Sequence, residues 1–91
     1  MQFQIVSHEA PLSVGENEVV YSTESAVGAV QYWSAIGAVA RRGHGMRILH
    51  TDGRVQPLTI GNRRLMSMDD ETGAPDTVYA MQGPGELWQT A

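Results

Sequence analysis

Cysteine is absent from the 91 residues, which excludes disulfides, thiol nucleophiles, Cys-ligated zinc and iron–sulfur clusters in one step. Lysine is absent as well, so every cationic side chain is an arginine. Charged residues make up 18% of the chain, below the ~25% of ordinary globular proteins. No apolar run reaches the roughly 18 residues that a membrane span requires. The opening Met1-Gln2-Phe3-Gln4 lacks the basic head and apolar stretch of a secretion signal. Phosphate-loop and dinucleotide glycine patterns, internal repeats and low-complexity runs are missing too. The expectation is a cytoplasmic protein that makes no membrane contact and carries no cofactor.

The hydrophobic fraction of 42% is ordinary for a folded protein. The length has room for one domain over residues 1–91, with no second module and no interdomain cleft. A chain this short hides only about 60–65% of its extended surface on folding, which leaves a thin margin of stability. A partner subunit is the simplest way to cover more apolar area.

The net charge of −4 conceals a segregation. Arg41, Arg42, Arg47, Arg54, Arg63 and Arg64, with Asp52, give residues 41–64 a charge of +5, whereas residues 1–40 carry −4 and residues 65–91 carry −5. Either the acidic ends fold back to neutralise the basic middle, or an arginine face stays open to an anion. The first reading is the simpler one.

Alternation and β-branched residues predict strands over residues 2–7 and 18–22, separated by a turn at Pro11 and residues 14–17. Ser22-Thr23-Glu24-Ser25 supplies helix-start chemistry. The helix is expected to run to about Arg42 and to stop at a left-handed Gly43, with Arg41 and Arg42 beside its last carbonyls. Two apolar runs flank Thr51-Asp52-Gly53, a hairpin signal. A two-residue turn pairs Thr51 with Arg54; a glycine bulge pairs His50 with Arg54 instead and changes which face is apolar. Pro57 points to an edge or a bulge. Short strands follow over residues 63–68, 77–82 and 86–89, with turns at Gly61-Asn62 and Gly83-Pro84-Gly85. The fold class is α+β in β-β-α-β-β-β-β order, a single helix on an antiparallel sheet of five to six short strands.

Residues 25–40 hold no charge at all. At helical spacing Ala26, Ala29, Val30, Tyr32, Trp33, Ile36, Gly37, Val39 and Ala40 form one half, which should face the sheet. Val27, Gly28, Gln31, Ser34, Ala35 and Ala38 form the other, a neutral face of small side chains. A helix apolar or neutral all round is usually covered on both sides, and a two-fold homodimer is the commonest solution. A solvated alanine-rich face is the alternative. Val27, Gln31, Ser34 and Ala38 are therefore the candidate interface. Trp88 joins them as the alternative to packing on the core. Unpaired sheet edges offer a further route to association.

The segment Arg41-Arg42-Gly43-His44-Gly45-Met46-Arg47 looks most like a site: glycines free backbone N–H groups, and guanidinium forks match phosphate or carboxylate oxygens. Arg63 and Arg64 may extend it, but neighbours on a strand face opposite ways, so only one can share a surface with Arg47. Helix capping is the simpler account of Gly43, Arg41 and Arg42, since the C-terminal end of a helix is the wrong pole for phosphate. His8, His44 and His50 lack metal-ligand spacing. Asp52 is needed for its own turn, which argues against a His50–Asp52 catalytic pair. Asp69-Asp70-Glu71 with Asp76 lacks a calcium ladder and reads as a solvated loop or as an internal mate for Arg63 and Arg64. Met46, Met66, Met68 and Met81 read as strand filling.

These features predict a non-catalytic interaction or ligand-binding protein acting as a homodimer, its partner a protein or a small anion held by Arg41, Arg42, His44, Arg47, Arg63 and Arg64. The rival class is a small enzyme using His44 as acid or base and Arg47 as clamp, which requires both to line one concavity. Nucleic-acid binding is disfavoured by the net negative charge and by the core placement of Tyr32 and Trp33.

Overall fold

The computed structural model describes residues 1–7 and 18–91. His8, Glu9, Glu16 and the turn expected at Pro11 and residues 14–17 lie outside the described residues. The chain forms β1 (Gln2–Ser7), β2 (Val19–Thr23), α1 (Ala26–Ala35), α2 (Gly37–Arg41), β3 (His44–Leu49), β4 (Val55–Gly61), β5 (Arg64–Met68), β6 (Pro75–Gln82), a 3-10 turn (Pro84–Glu86) and β7 (Trp88–Thr90). All the strands belong to one antiparallel sheet in the order β2-β1-β3-β4-β5-β6-β7. The class is α+β. The sheet has seven strands rather than five or six, and the helix is in two pieces.

The sheet curls around α1. The helix packs against β1 and β2 near one edge and against β6 and β7 near the other. Phe3 of β1 meets Tyr79 of β6 edge-on, with ring centroids 5.3 Å apart, although β3, β4 and β5 stand between them in the ladder. Strand twist bends any sheet this wide, and irregular pairing sharpens the bend between Ile5 and Val6 and again between Leu65 and Met68. On the inner face Phe3, Ile5, Met46, Ile48, Leu58, Leu65 and Ala80 are buried against Ala26, Ala29 and Val30 of α1. The small helix residues let the rod lie deep in the trough. Tyr21 stacks on Tyr32 at 4.2 Å and 4°, closing β2 onto the helix.

Ser25 caps α1, its Oγ accepting the Gly28 N–H at 2.9 Å. The expected continuous helix fails at Gly37, where φ is +85°, while the Ile36 N–H still reaches the Tyr32 carbonyl at 3.2 Å. The left-handed stop is therefore Gly37; Gly43 does not take a positive φ. The break resets the helical phase. Val39, expected on the sheet side, is 84% exposed as a result.

In the β3–β4 hairpin the His50 N–H donates to Arg54 at 2.8 Å and Gly53, at φ +88°, donates back to His50 at 3.0 Å. The glycine-bulge register is the one adopted. Antiparallel pairs alternate between bonded and non-bonded, so Ile48–Gln56 and Met46–Leu58 are bonded and Arg47–Pro57 is not. Pro57 sits neither on an edge strand nor in a bulge. Its missing N–H faces β5, where the ladder begins one residue later at Leu58.

The β4–β5 turn consists of Asn62 at φ +52° and Arg63 at φ +60°, between the paired Gly61 and Arg64. Two successive left-handed residues make a primed turn, in which the second position favours glycine. Arg63→Gly is expected to raise unfolding stability by about 0.5–1 kcal/mol, measurable as a shift in the urea midpoint at unchanged slope.

Candidate binding sites

Strand direction sorts the charges between two ends of the rolled sheet. One end gathers the start of β3, the β4–β5 turn and the β6–β7 turn, and with them Arg41, Arg42, His44, Arg63 and Arg64, together with two acids, Glu86 in the last of these turns and Glu18 beside Ser7. The opposite end gathers Glu24, Asp52, Asp69, Asp70, Glu71 and Asp76, with Arg54 as its one arginine. Arg64 opens β5 and the acidic loop follows its close, so the strand itself holds the expected mates apart. Arg42, Arg63 and Arg64 are exposed and have no carboxylate partner among the described residues. Arg41 is half-buried, and its Nε is buried without a hydrogen-bond partner among the described residues.

Arg47 departs from the group. It is 4% exposed, and its Nε donates to Gln4 Oε1 at 2.8 Å. Burial pushes the guanidinium below its ordinary pKa, yet an arginine remains protonated at any physiological pH. His44 and Arg47 lie three positions apart on β3, so they face opposite sides of the sheet. The concavity that His44 lines has no arginine in its wall. The geometry that the small-enzyme reading requires, both residues in one hollow, is not present.

That concavity, about 300 Å³, is lined by Trp33, His44, Gly45, Met46, Leu58, Thr59 and Ile60. Its origin is a fork in the sheet. Pairing between β3 and β4 stops at Met46–Leu58, while β3 extends to His44 along β1 and β4 extends to Gly61 along β5. The next bonded pair would join His44 to Ile60, so the peptide groups of these two residues face the opening. The His44 ring is anchored, with Nδ1 2.7 Å from the Ala40 carbonyl, which makes Nδ1 the donor and leaves Nε2 available.

A second hollow, a groove of about 500 Å³, runs between α1 and the β6–β7 turn, lined by Val30, Gln31, Ser34, Ala35, Gln82, Glu86, Leu87 and Trp88. Three of the expected interface residues, Gln31, Ser34 and Trp88, meet here. Val27 is half-buried and packs on the core, and Ala38 is exposed on α2 beyond the break. Trp88 also packs against the core. Leu87, which is not among the expected interface residues, is 68% exposed on the groove's rim. The turn holds it there: Gly83 donates to the Leu87 carbonyl at 2.8 Å, Glu86 donates to Gly83 at 3.2 Å, and Gly85 and Glu86 take φ of +72° and +64°.

A polar chain crosses the inner face at the acidic end. His50 Nε2 donates to Gln56 Oε1 at 2.7 Å, and Gln56 Nε2 donates to Asp76 Oδ2 at 3.0 Å. Between β4 and β6, Ser67 is fully buried and accepts the Thr77 N–H at 3.2 Å. The chain was not legible as a unit, because Asp76 lies 20 residues from Gln56 and meets it across the intervening β5. Asp52 accepts the Arg54 N–H at 2.9 Å and so serves its own turn. Among the described residues no group of His, Asp and Glu converges to hold a metal ion, and no helix is long and apolar enough to cross a membrane. No family model matches the chain, and neither a curated protein nor a solved structure shows significant similarity to it.

Two measurements test the acidic end. Gln56, 4% exposed, satisfies both neighbours at once, so Gln56→Ala is expected to cost about 2 kcal/mol of unfolding free energy by denaturant titration. Asp69 accepts the Glu71 and Thr72 N–H groups at 2.8 and 3.0 Å, and these bonds hold its carboxyl below the usual carboxylate range. A depressed pKa makes the turn's extra stability present above the unfolded value and lost as pH falls through the folded one. Amide exchange at Glu71 and Thr72, corrected for the intrinsic pH dependence, is expected to lose protection as pH drops below about 4, and Asp69→Asn is expected to abolish that pH dependence.

Proposed function

We propose that the protein is a non-catalytic interaction module that works as a homodimer through the groove between α1 and the β6–β7 turn. The observation that carries this reading is the pairing of a hole with a knob on one surface: Leu87 stands exposed on the rim of the hollow formed by Gln31, Ser34, Ala35 and Trp88. A two-fold axis beside that rim seats the Leu87 of each copy in the groove of the other, an isologous contact that closes on itself. The α1 face that would meet its counterpart carries no charge, and Glu86 is the single charged residue in the groove wall, so like-charge contact between two copies of net charge −4 is confined to that turn. An enzymatic role draws no support from the geometry, since the arginine that should clamp the substrate is buried on the other side of the sheet from His44.

Sedimentation equilibrium over a concentration series decides the matter. The wild-type chain is expected at twice its formula mass, and Leu87→Glu is expected to weaken association by at least about tenfold while leaving the circular dichroism spectrum unchanged. A single species of one-chain mass up to about 1 mM would remove the proposal.

A further inference from the structure

We infer that the fork between β3 and β4 binds a small neutral ring with cis-amide edges, a cyclic imide or diamide, through the strand peptide groups of His44 and Ile60. The wall of the hollow supplies the geometry. A hollow on one face of a sheet is lined by alternate residues, because successive side chains point to opposite faces. This one is lined by His44, Gly45 and Met46 in a row and by Leu58, Thr59 and Ile60 in a row. It therefore lies between the two strands, with their backbone edges as its walls.

Register names the groups on those edges. In an antiparallel pair, alternate residues turn both N–H and C=O toward the neighbouring strand. Across β3 and β4 these are Ile48 with Gln56 and Met46 with Leu58. Pairing ends there, so His44 and Ile60 present theirs to the gap with no strand partner in it among the described residues. The gap is held open from outside. His44 pairs with Ser7 of β1 and is tied to α2 by its Nδ1, 2.7 Å from the Ala40 carbonyl, while Ile60 and Gly61 pair with Leu65 and Arg64 of β5. A gap fixed in this way admits a ligand without first being rearranged.

Those groups select the ligand. Each residue shows a donor and an acceptor side by side, and the complement is an acceptor and a donor side by side. A trans amide points its N–H and C=O in opposite directions, whereas an amide inside a small ring is cis and points both the same way. Two such edges on one ring match His44 and Ile60 together. The wall includes no Asp, Glu or Arg, which suits an uncharged molecule. A volume of about 300 Å³ lies at the small end of ligand pockets, and half-buried Trp33 supplies an aromatic surface for a flat ring. A peptide strand fits less well. Beyond Ile60 the chain enters the β4–β5 turn, and before His44 it comes from α2, so neither edge offers a second residue for a strand to pair with. None of this depends on the dimer, whose groove uses other residues.

The test is a heteronuclear NMR titration of the full chain with uracil, uracil methylated on both nitrogens, and a capped valine tripeptide in parallel. Uracil, whose ring carries two cis-amide edges, is expected to produce saturable shifts at Trp33, Gly45 and Thr59 and to move the His44 and Ile60 amide protons downfield as they gain an acceptor. The dimethyl compound keeps the ring and the carbonyls but has no N–H, and is expected to bind at least about tenfold more weakly. Ile60→Pro removes the N–H that faces the gap without removing a bond to β5, and is expected to lose at least about fivefold in affinity for uracil. Ile60→Val, which keeps the N–H, is expected to bind as the wild type does. The ligand pair probes the same contacts on the unaltered chain, so the result does not hang on the folding of Ile60→Pro. Shifts that fail to saturate by about 20 mM uracil, equal affinity for the dimethyl compound, unaltered uracil binding by folded Ile60→Pro, or tighter binding of the tripeptide at the same amides would each overturn the proposal.

Discussion

Covering the inner face of the sheet is the constraint from which the rest of the structure follows. A seven-stranded antiparallel sheet has an apolar face of Phe3, Ile5, Met46, Ile48, Leu58, Leu65 and Ala80, and α1 is the helix that shields it. One short rod cannot cover a flat sheet of that width. The sheet instead rolls until β1 and β2 on one side and β6 and β7 on the other both touch the rod. The alanines at 26 and 29 suit that enclosed position, because a wider helix would hold the edges apart.

Closing the roll creates the two hollows. Where the helix meets β7 the seam is shallow, and the glycine-rich turn before β7 projects Leu87 beside it. Where the roll opens between β3 and β4, each strand stays with its outer neighbour, β1 or β5, and the ladder between them ends early. Both hollows lie toward the end of the sheet where the arginines collect. Glu24, Asp52, Asp69, Asp70, Glu71 and Asp76 collect at the other end, while Glu18 and Glu86 stay at the arginine end, so among the described residues the segregation visible along the chain becomes in large part a separation in space.

Buried polar groups impose their own order. Gln56 and Ser67 sit on the inner face among apolar neighbours and are tolerated because each has a partner: His50 and Asp76 for the amide, the Thr77 N–H for the hydroxyl. Arg47 sits on the other face against Gln4. Arginine in a segment of the chain that looked like a site thus proved to be part of the sheet's framework, while His44, three residues earlier, lines a hollow.

Several elements were legible because their causes are local. Ser25 announces the helix start through its own hydroxyl, Asp52-Gly53 announces a hairpin, and alternation marks the strands. The charge-free stretch over residues 25–40 likewise signalled an unusual helix. Other features had no local cause strong enough to read. Gly37 falls on the sheet-facing half of a continuous helical pattern, yet a left-handed turn there redirects everything up to Arg41. The register at Asp52 was open until packing chose which face Ile48 shares with Met46. The fork, the groove and the His50–Gln56–Asp76 chain join strands that only the rolled sheet brings together. Composition and short-range pattern determine which segments become strands and helix, because backbone preference and capping act within a few residues. Which side chains share a hollow is decided by curvature and strand order, which emerge only once every edge of the sheet has found the helix.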